Sequence, residues 1–192
     1  MSSRTSSADP IDEALVNRIL AGDESAEFEL NRRWWRRLTA LARSILRDDE
    51  LAEDTAQLAL WRAITHLKRY DSSRPFESWI LAIARNCARD LLRSRKARPT
   101  VSGEGLLDRV AGGHEEGPNR IARKEETEAL RACLEGLSER IRTVVVLHAL
   151  GFSLEKTGQA LQAPKTTVQS WLEKALEQLR RCMTGKGFGE YS

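Results

Sequence analysis

Residues 137–179 constrain the fold of this chain more than any other stretch. Ser138 can cap a helix in which Ile141, Val144, Val145 and His148 recur at helical spacing. Gly151 predicts the end of that helix, and Ser153 can cap a short one reaching Leu161. Pro164 suits the first turn of a third helix, along which Val168, Leu172, Ala175, Leu176 and Leu179 share one face. A short helix, a tight break and a longer helix is the layout of a helix-turn-helix. The longer helix carries Lys165, Thr166, Thr167, Gln169, Ser170 and Lys174 toward its N-terminal end, where side chains can reach base edges in a major groove. An ordinary three-helix hairpin fits the same spacing, so the rest of the chain has to decide between them.

The length of 192 residues allows one domain or two small ones. With a net charge of only +3, a nucleic-acid role must rest on local patches rather than bulk charge. Cys87, Cys133 and Cys182 are far apart, odd in number and outside any CxxC or Cys/His cluster. That argues against disulfides and zinc, and for a reducing cytoplasm. Residues 1–9 are polar and read as a disordered start without a signal peptide, and no later segment is apolar enough to span a membrane.

The first half reads as four helices. Pro10 opens a short one with Ile11, Leu15, Val16 and Ile19 on one side. Residues 25–46 form a second, with a core stripe of Leu30, Trp34, Leu38, Leu41 and Ile45. The third, residues 49–68, is apolar along Ala52, Ala56, Leu60, Ala63, Ile64 and Leu67, yet carries Leu51, Asp54, Leu58, Trp61 and Arg62 on the opposite side. A helix apolar on two sides is either sandwiched within its own protein or has a partner. Trp61 beside Leu58 fits an interface hot spot, and equally a tryptophan tucked under a neighbouring helix.

After the loop RYDSSR, Pro75 begins a fourth helix reaching Lys96. Phe76, Ile80, Ile83, Ala84, Cys87 and Leu91 gather on one side; Ser78, Ala82, Arg85, Arg89, Arg93 and Lys96 gather nearly opposite, with Asn86 at the margin. The preceding loop supplies Tyr70 for stacking and Lys68, Arg69 and Arg74 for phosphates, a combination suited to single-stranded nucleic acid. Residues 98–118 lack helical periodicity, are rich in glycine and carry Glu104, Asp108, Glu115 and Glu116, so they read as a flexible acidic linker. A fifth helix over 119–135 leads into the helix-turn-helix, and residues 184–192 read as a flexible tail. The expected fold class is all-α: two small helical domains, 10–97 and 119–183, joined by that linker.

This order of parts resembles an extracytoplasmic-function type sigma factor of bacterial RNA polymerase. The resemblance runs from about Asp9 to Met183. LVNRILAGDESAEFEL is similar to the family's opening, LAEDTAQLALWRAI to its polymerase-binding helix, and RYDSSRPFESWILAIARNCARDLLR to its promoter-melting segment. The run PF-x-x-W followed by IARN is the most specific string, and LSER with the helix-turn-helix resembles the family's promoter-binding domain. The resemblance implies that Asp54, Gln57, Leu58, Trp61 and Arg62 dock on core RNA polymerase. It implies that Tyr70, Arg74, Ser78, Arg85, Asn86, Arg89 and Arg93 read and melt the minus-ten element as single-stranded DNA. It places Lys165, Thr166, Thr167, Gln169, Ser170 and Lys174 on the minus-thirty-five duplex. The implied setting is a cytoplasmic protein, monomeric on the polymerase, with no cofactor or metal and with the anti-sigma partner such factors commonly have.

The chain departs from the family pattern at Leu58, where an acidic residue is usual, and at Thr157 and Gly158, where isoleucine and alanine are usual. Trp171 and Glu173 replace basic residues on the recognition helix, so intrinsic duplex affinity is expected to be low. A stand-alone helix-turn-helix regulator is the alternative, although no dimerisation helix is visible; a helical adaptor using Leu58 and Trp61 is another. An enzyme is disfavoured, because His66, His114 and His148 are scattered and no nucleophile–base constellation or phosphate-binding glycine loop is present.

Overall fold

The computed structural model describes residues 9–97 and 119–188. Among these the chain forms eight α-helices and one short 3-10 turn, with no strand. The expectations placed on residues 1–8, on the acidic linker 98–118 and on 189–192 lie outside the described residues.

Helix α1 (Pro10–Leu20) starts where the Asp9 side chain accepts from the Ile11 amide at 2.9 Å, so Asp9 belongs to the fold rather than to the tail expected before it. Asp23 caps α2 (Glu24–Leu46) in the same way, and the predicted stripe Leu30, Trp34, Leu38, Leu41 and Ile45 is buried. Asp48 caps α3 (Asp49–Thr65), where Ala52, Ala56, Ala59 and Ala63 are buried; with no side chain beyond Cβ they admit close packing of a neighbouring helix. The predicted extension of this helix to Lys68 is replaced by a 3-10 turn at Leu67–Arg69. Helix α4 (Phe76–Ala97) buries Phe76, Ile80, Leu81, Ala84, Cys87 and Ala88 against α2 and α3.

The second module comprises α5 (Asn119–Glu135), α6 (Glu139–Ala149), α7 (Leu154–Leu161) and α8 (Lys165–Gly185). Gly151 ends α6 at φ +86, a conformation that glycine adopts without penalty. Helices α7 and α8 are the predicted helix-turn-helix. Between them Gln162 takes a left-handed φ of 56, and the Ala163 amide donates to the Gly158 carbonyl at 2.9 Å. The core face of α6 is built on Val144 and Leu147; His148, placed on that face from its spacing, is exposed. The described part of the tail is ordered as well: α8 continues through Gly185, and the Phe188 amide donates to the Met183 carbonyl at 2.9 Å.

Two findings correct the sequence reading. Cys133 of α5 and Cys182 of α8 form a disulfide, although their separation and the lone Cys87 argued against one. Packing of α5 along the C-terminal half of α8 brings together two positions 49 apart in sequence. The modules are also not held by a linker alone. Leu147, Phe152 and Ala160 of the second are buried in the same core cluster as the residues of α1–α4.

Candidate polymerase and nucleic-acid interfaces

Helix α3 presents Asp54, Gln57, Leu58 and Trp61 to solvent. Trp61 is 61% exposed and Leu58 39%, so no helix of the described residues covers the tryptophan. Arg62, assigned to the same face, is half-buried and turns toward α4, where Nη1 donates to Cys87 Sγ at 3.3 Å. Burial pushes the Cys87 thiol pKa up, with the neighbouring Arg62 charge opposing it.

The loop before α4 is more built-in than its composition implied. The Tyr70 ring packs edge-on against Phe76, centroids 5.5 Å apart, and tilted against Trp79 at 5.2 Å. Its hydroxyl donates to the Arg74 carbonyl, and burial raises its pKa. Asp71 accepts from the Ser73 amide at 2.9 Å, and its hydrogen bonds with Ser73 lower its carboxyl pKa. Arg74 remains exposed.

The predicted strand-binding side of α4 divides into two. Asn86 and Arg93 are exposed, Arg93 lying 3.4 Å from Asp90. Ser78 is buried, and its hydroxyl donates to Gln159 Oε1 at 2.7 Å. The Arg85 guanidinium donates to the Ala160 carbonyl at 3.4 Å, and desolvation lowers its pKa, with the nearby Arg89 charge adding to the effect. Arg89 pairs with Glu139 at 3.4 Å. The sequence reading placed these three on an open basic face; in the structure α6 and α7 lie over it.

That cover is anchored by residues the sequence reading passed over. Arg142 is 6% exposed; its Nε donates to the Ser44 carbonyl at 2.7 Å and its Nη1 to the Leu137 carbonyl at 2.9 Å. The Ser44 and Thr143 hydroxyls meet at 3.1 Å. Phe152 stacks on Trp34 with centroids 6.0 Å apart, and the Arg37 guanidinium lies over both rings, 5.3 Å and 5.6 Å from their centroids. Lys156 of α7 pairs with Glu77 of α4. One signal was available for the first of these: Arg142 is a cation entering the apolar run Val144–Leu147, and such a residue needs a partner when buried.

Glu77 also belongs to a carboxylate cluster, bringing an oxygen within 4.8 Å of one each from Asp9 and Asp12. Arg33 reaches both aspartates and Lys156 takes Glu77, so the cluster is met by cations of the protein itself. Burial raises the pKa of Asp12 in spite of its hydrogen bonds from Trp34 and Arg33.

On α8, Lys165, Thr166, Gln169 and Lys174 are exposed, whereas Thr167 and Ser170 are half-buried. Gln169 Nε2 donates to Glu173 Oε1 at 3.0 Å, one turn on. Trp171 is half-buried beneath the Arg140 guanidinium, 5.1 Å from its ring centroid, and packs against the cluster of Val144, Val168 and Leu172. A Cβ at Gly158 would lie 2.6 Å from the Ala163 carbonyl oxygen, which explains glycine where the family usually has alanine.

Comparison with known proteins bears on this arrangement. Residues 30–98 match Sigma-70 region 2, and residues 127–179 match Sigma-70, region 4. The RNA polymerase sigma factor NccH of Alcaligenes xylosoxydans xylosoxydans is 30% identical over 172 residues, covering 88% of this chain and 92% of that protein. The fold is similar to that of CnrH in complex with the cytosolic domain of CnrY: TM-score 0.68, 23% identity, 91% of this chain and 98% of that chain covered. It is also similar to the sigma factor RpoE in complex with the anti-sigma factor NepR from Bartonella quintana: TM-score 0.66, 20% identity, 81% of this chain and 95% of that chain covered.

Proposed function

This chain belongs to the extracytoplasmic-function sigma factors of RNA polymerase, which bind the core enzyme and direct transcription initiation at promoters, and on that premise we propose which of its surfaces do so. Asp54, Gln57, Leu58 and Trp61 dock on the polymerase, with Arg62 at the edge of the contact. The observation that carries this assignment is the 61% exposure of Trp61 beside Leu58, on a helix whose other face is already buried. An aromatic anchor left in water by its own fold gains free energy when a partner desolvates it. Leu58, where the family usually has an acid, makes the contact more apolar.

Tyr70, Arg74, Ser78, Arg85, Asn86, Arg89 and Arg93 contact the unwound strand. Lys165, Thr166, Thr167, Gln169, Ser170 and Lys174 contact the upstream duplex. Arginines along α4 meet phosphates and set register, while the Gln169 amide can pair with an adenine edge in the major groove. The protein works in the cytoplasm without catalysing a reaction of its own, and an anti-sigma protein holds it in reserve, a reading supported by the anti-sigma factor NepR in the similar RpoE structure. No helix of the described residues is long and apolar enough to cross a membrane.

The test is the double variant Leu58→Ala with Trp61→Ala. Its affinity for core polymerase should fall by at least about 2 kcal/mol, the scale of hot-spot truncation, while its thermal midpoint stays at the wild-type value. A lowered midpoint with unchanged affinity would return both residues to the core.

A further inference from the structure

A cleft opens where α6 and α7 meet α4 and the end of α2. Ile45, Thr143 and Leu161 line it together with four charged groups, Arg85 and Arg89 of α4 and Glu139 and Arg140 of α6. Three guanidiniums thus share one carboxylate. That carboxylate is loosely held: Glu139 lies 3.4 Å from Arg89, and both side chains are 34% exposed. Arg85 has only the long 3.4 Å contact to the Ala160 carbonyl. Arg140 lies over the Trp171 ring and makes no ion pair among the described residues. Burial lowers the Arg85 pKa, and Arg89 and Arg140 add their repulsion to the effect. The first turn of α6 contributes to the same field. Glu139 and Arg140 are its first two residues, and its N-cap Ser138 gives no side-chain bond to the amides behind it, so that turn keeps its partial positive charge. A cleft with an excess of two positive charges between low-dielectric walls concentrates anions.

We propose that this cleft is a binding site for a phosphate-class dianion, held by Arg85, Arg89 and Arg140, and that its occupant fastens one module to the other. Guanidinium forks offer paired N–H groups to the oxygens of a tetrahedral oxyanion, and two forks from α4 with one from α6 can take separate edges of it. Chloride would offset half of the excess charge, whereas a doubly ionised phosphate matches it. Glu139 is the internal competitor for Arg89, and it is exposed enough to turn to solvent when the anion enters. Inorganic phosphate and the phosphate monoester of a nucleotide share this chemistry. An occupied cleft also withholds Arg85 and Arg89 from other phosphates. That consequence, unlike the site itself, rests on the assignment of α4 to the unwound strand.

Thermal unfolding of the full-length protein tests this, in rising inorganic phosphate above its second ionisation, with sodium chloride keeping the ionic strength constant. A parallel series uses adenosine monophosphate. The wild-type midpoint should rise with the anion, as linkage requires for a ligand bound by the native state alone. Whichever of the two acts at the lower concentration is the class of occupant. Arg140→Gln, at a residue not assigned to DNA, should abolish the rise. Glu139→Gln removes the competing carboxylate and should lower the half-saturating concentration about fivefold, the scale of one part-exposed charge pair. Circular dichroism checks that both variants remain helical; if Arg140→Gln does not, Glu139→Gln carries the comparison. A midpoint that responds to phosphate no more than to chloride would overturn the proposal. So would a response that Arg140→Gln leaves intact, or one that Glu139→Gln weakens. Anisotropy titration of a fluorescent single-stranded oligonucleotide separates the two levels of the argument. Phosphate at about ten times its half-saturating concentration should weaken strand binding about tenfold, as a simple competitor does. If phosphate raises the midpoint but leaves strand binding unchanged, the α4 assignment has failed and the anion site stands.

Discussion

Gly158 shows how much a single hydrogen atom in place of a methyl decides at the residue scale. Alanine has the better helix propensity by about 1 kcal/mol, yet a Cβ here would press on the Ala163 carbonyl oxygen at 2.6 Å, a backbone atom that cannot swing away. Gly158→Ala should therefore destabilise the chain by about 1–3 kcal/mol, the range for forced overpacking, read as a lower midpoint in urea. Gln169 is the second residue whose surroundings matter. Its amide nitrogen has two hydrogens; one goes to Glu173 at 3.0 Å, leaving the other and the carbonyl oxygen for an adenine edge. Glu173, whose charge opposes the proposed DNA contact, thus also orients the Gln169 amide beside it. Gln169→Ala, assayed on the holoenzyme with single-base promoter variants, should relax preference at one or two upstream base pairs by about 1–3 kcal/mol each. Equal loss on every sequence would mean that Gln169 only touches the backbone.

Two elements carry opposite lessons. Helix α3 turns its alanine face to the interior and keeps Leu58 and Trp61 in water, so one helix joins a core to the face proposed for the polymerase. Among the described side chains the cluster that joins α5, and Leu137 just beyond it, to α8 is small: Cys133, Leu137, Ala175 and Leu179, with partly buried neighbours. The Cys133–Cys182 disulfide compensates for that small core by closing a loop of 49 residues in the unfolded chain. Cys133→Ser, or reduction of the wild type, should lower stability by about 2–4 kcal/mol, measured by urea denaturation with and without reductant. Equal midpoints under the two conditions would show that apolar packing alone holds α5 in place.

For the whole molecule, the consequence of one shared core is cooperativity. Trp34, Phe76, Leu147 and Phe152 belong to the same buried cluster although they come from both modules. Calorimetry of the wild type should show a single transition. Arg142→Ala leaves the Ser44 and Leu137 carbonyls without their donors, at about 1–3 kcal/mol for each buried acceptor left unpaired. The variant should melt in two steps as the modules uncouple. A single unshifted transition would mean that Arg142 contributes nothing to docking.

Ser138 and Ser153 read as caps from the same signal, yet only Ser153 makes the side-chain cap bond, and Asp9, Asp23 and Asp48 cap helices without having been singled out. The helices, the cap at Ser153 and the break at Gly151 were legible in the residues themselves, because each is set by interactions within a few positions along the chain. The same holds for the second face of α3, since a 3.6-residue period shows which side chains point together. Periodicity could not say whether a neighbour covers that face, and two readings of Trp61 stayed open until the tertiary structure left it in water. Neither could it foresee the disulfide, the packing of Tyr70 among Phe76 and Trp79, or the cover over Ser78, Arg85 and Arg89. Those depend on which surfaces meet across long stretches of chain, 81 positions between Ser78 and Gln159 and 99 between Ser44 and Thr143. Local periodicity therefore determined that this protein would be helical, with a second apolar face on α3 and a basic face on α4, while a polymerase and promoter DNA as their partners came from the family resemblance. Only the packing of one module on the other decided which of those surfaces the free molecule presents, because a basic face exposes the same donors to a strand and to the carbonyls of its own chain.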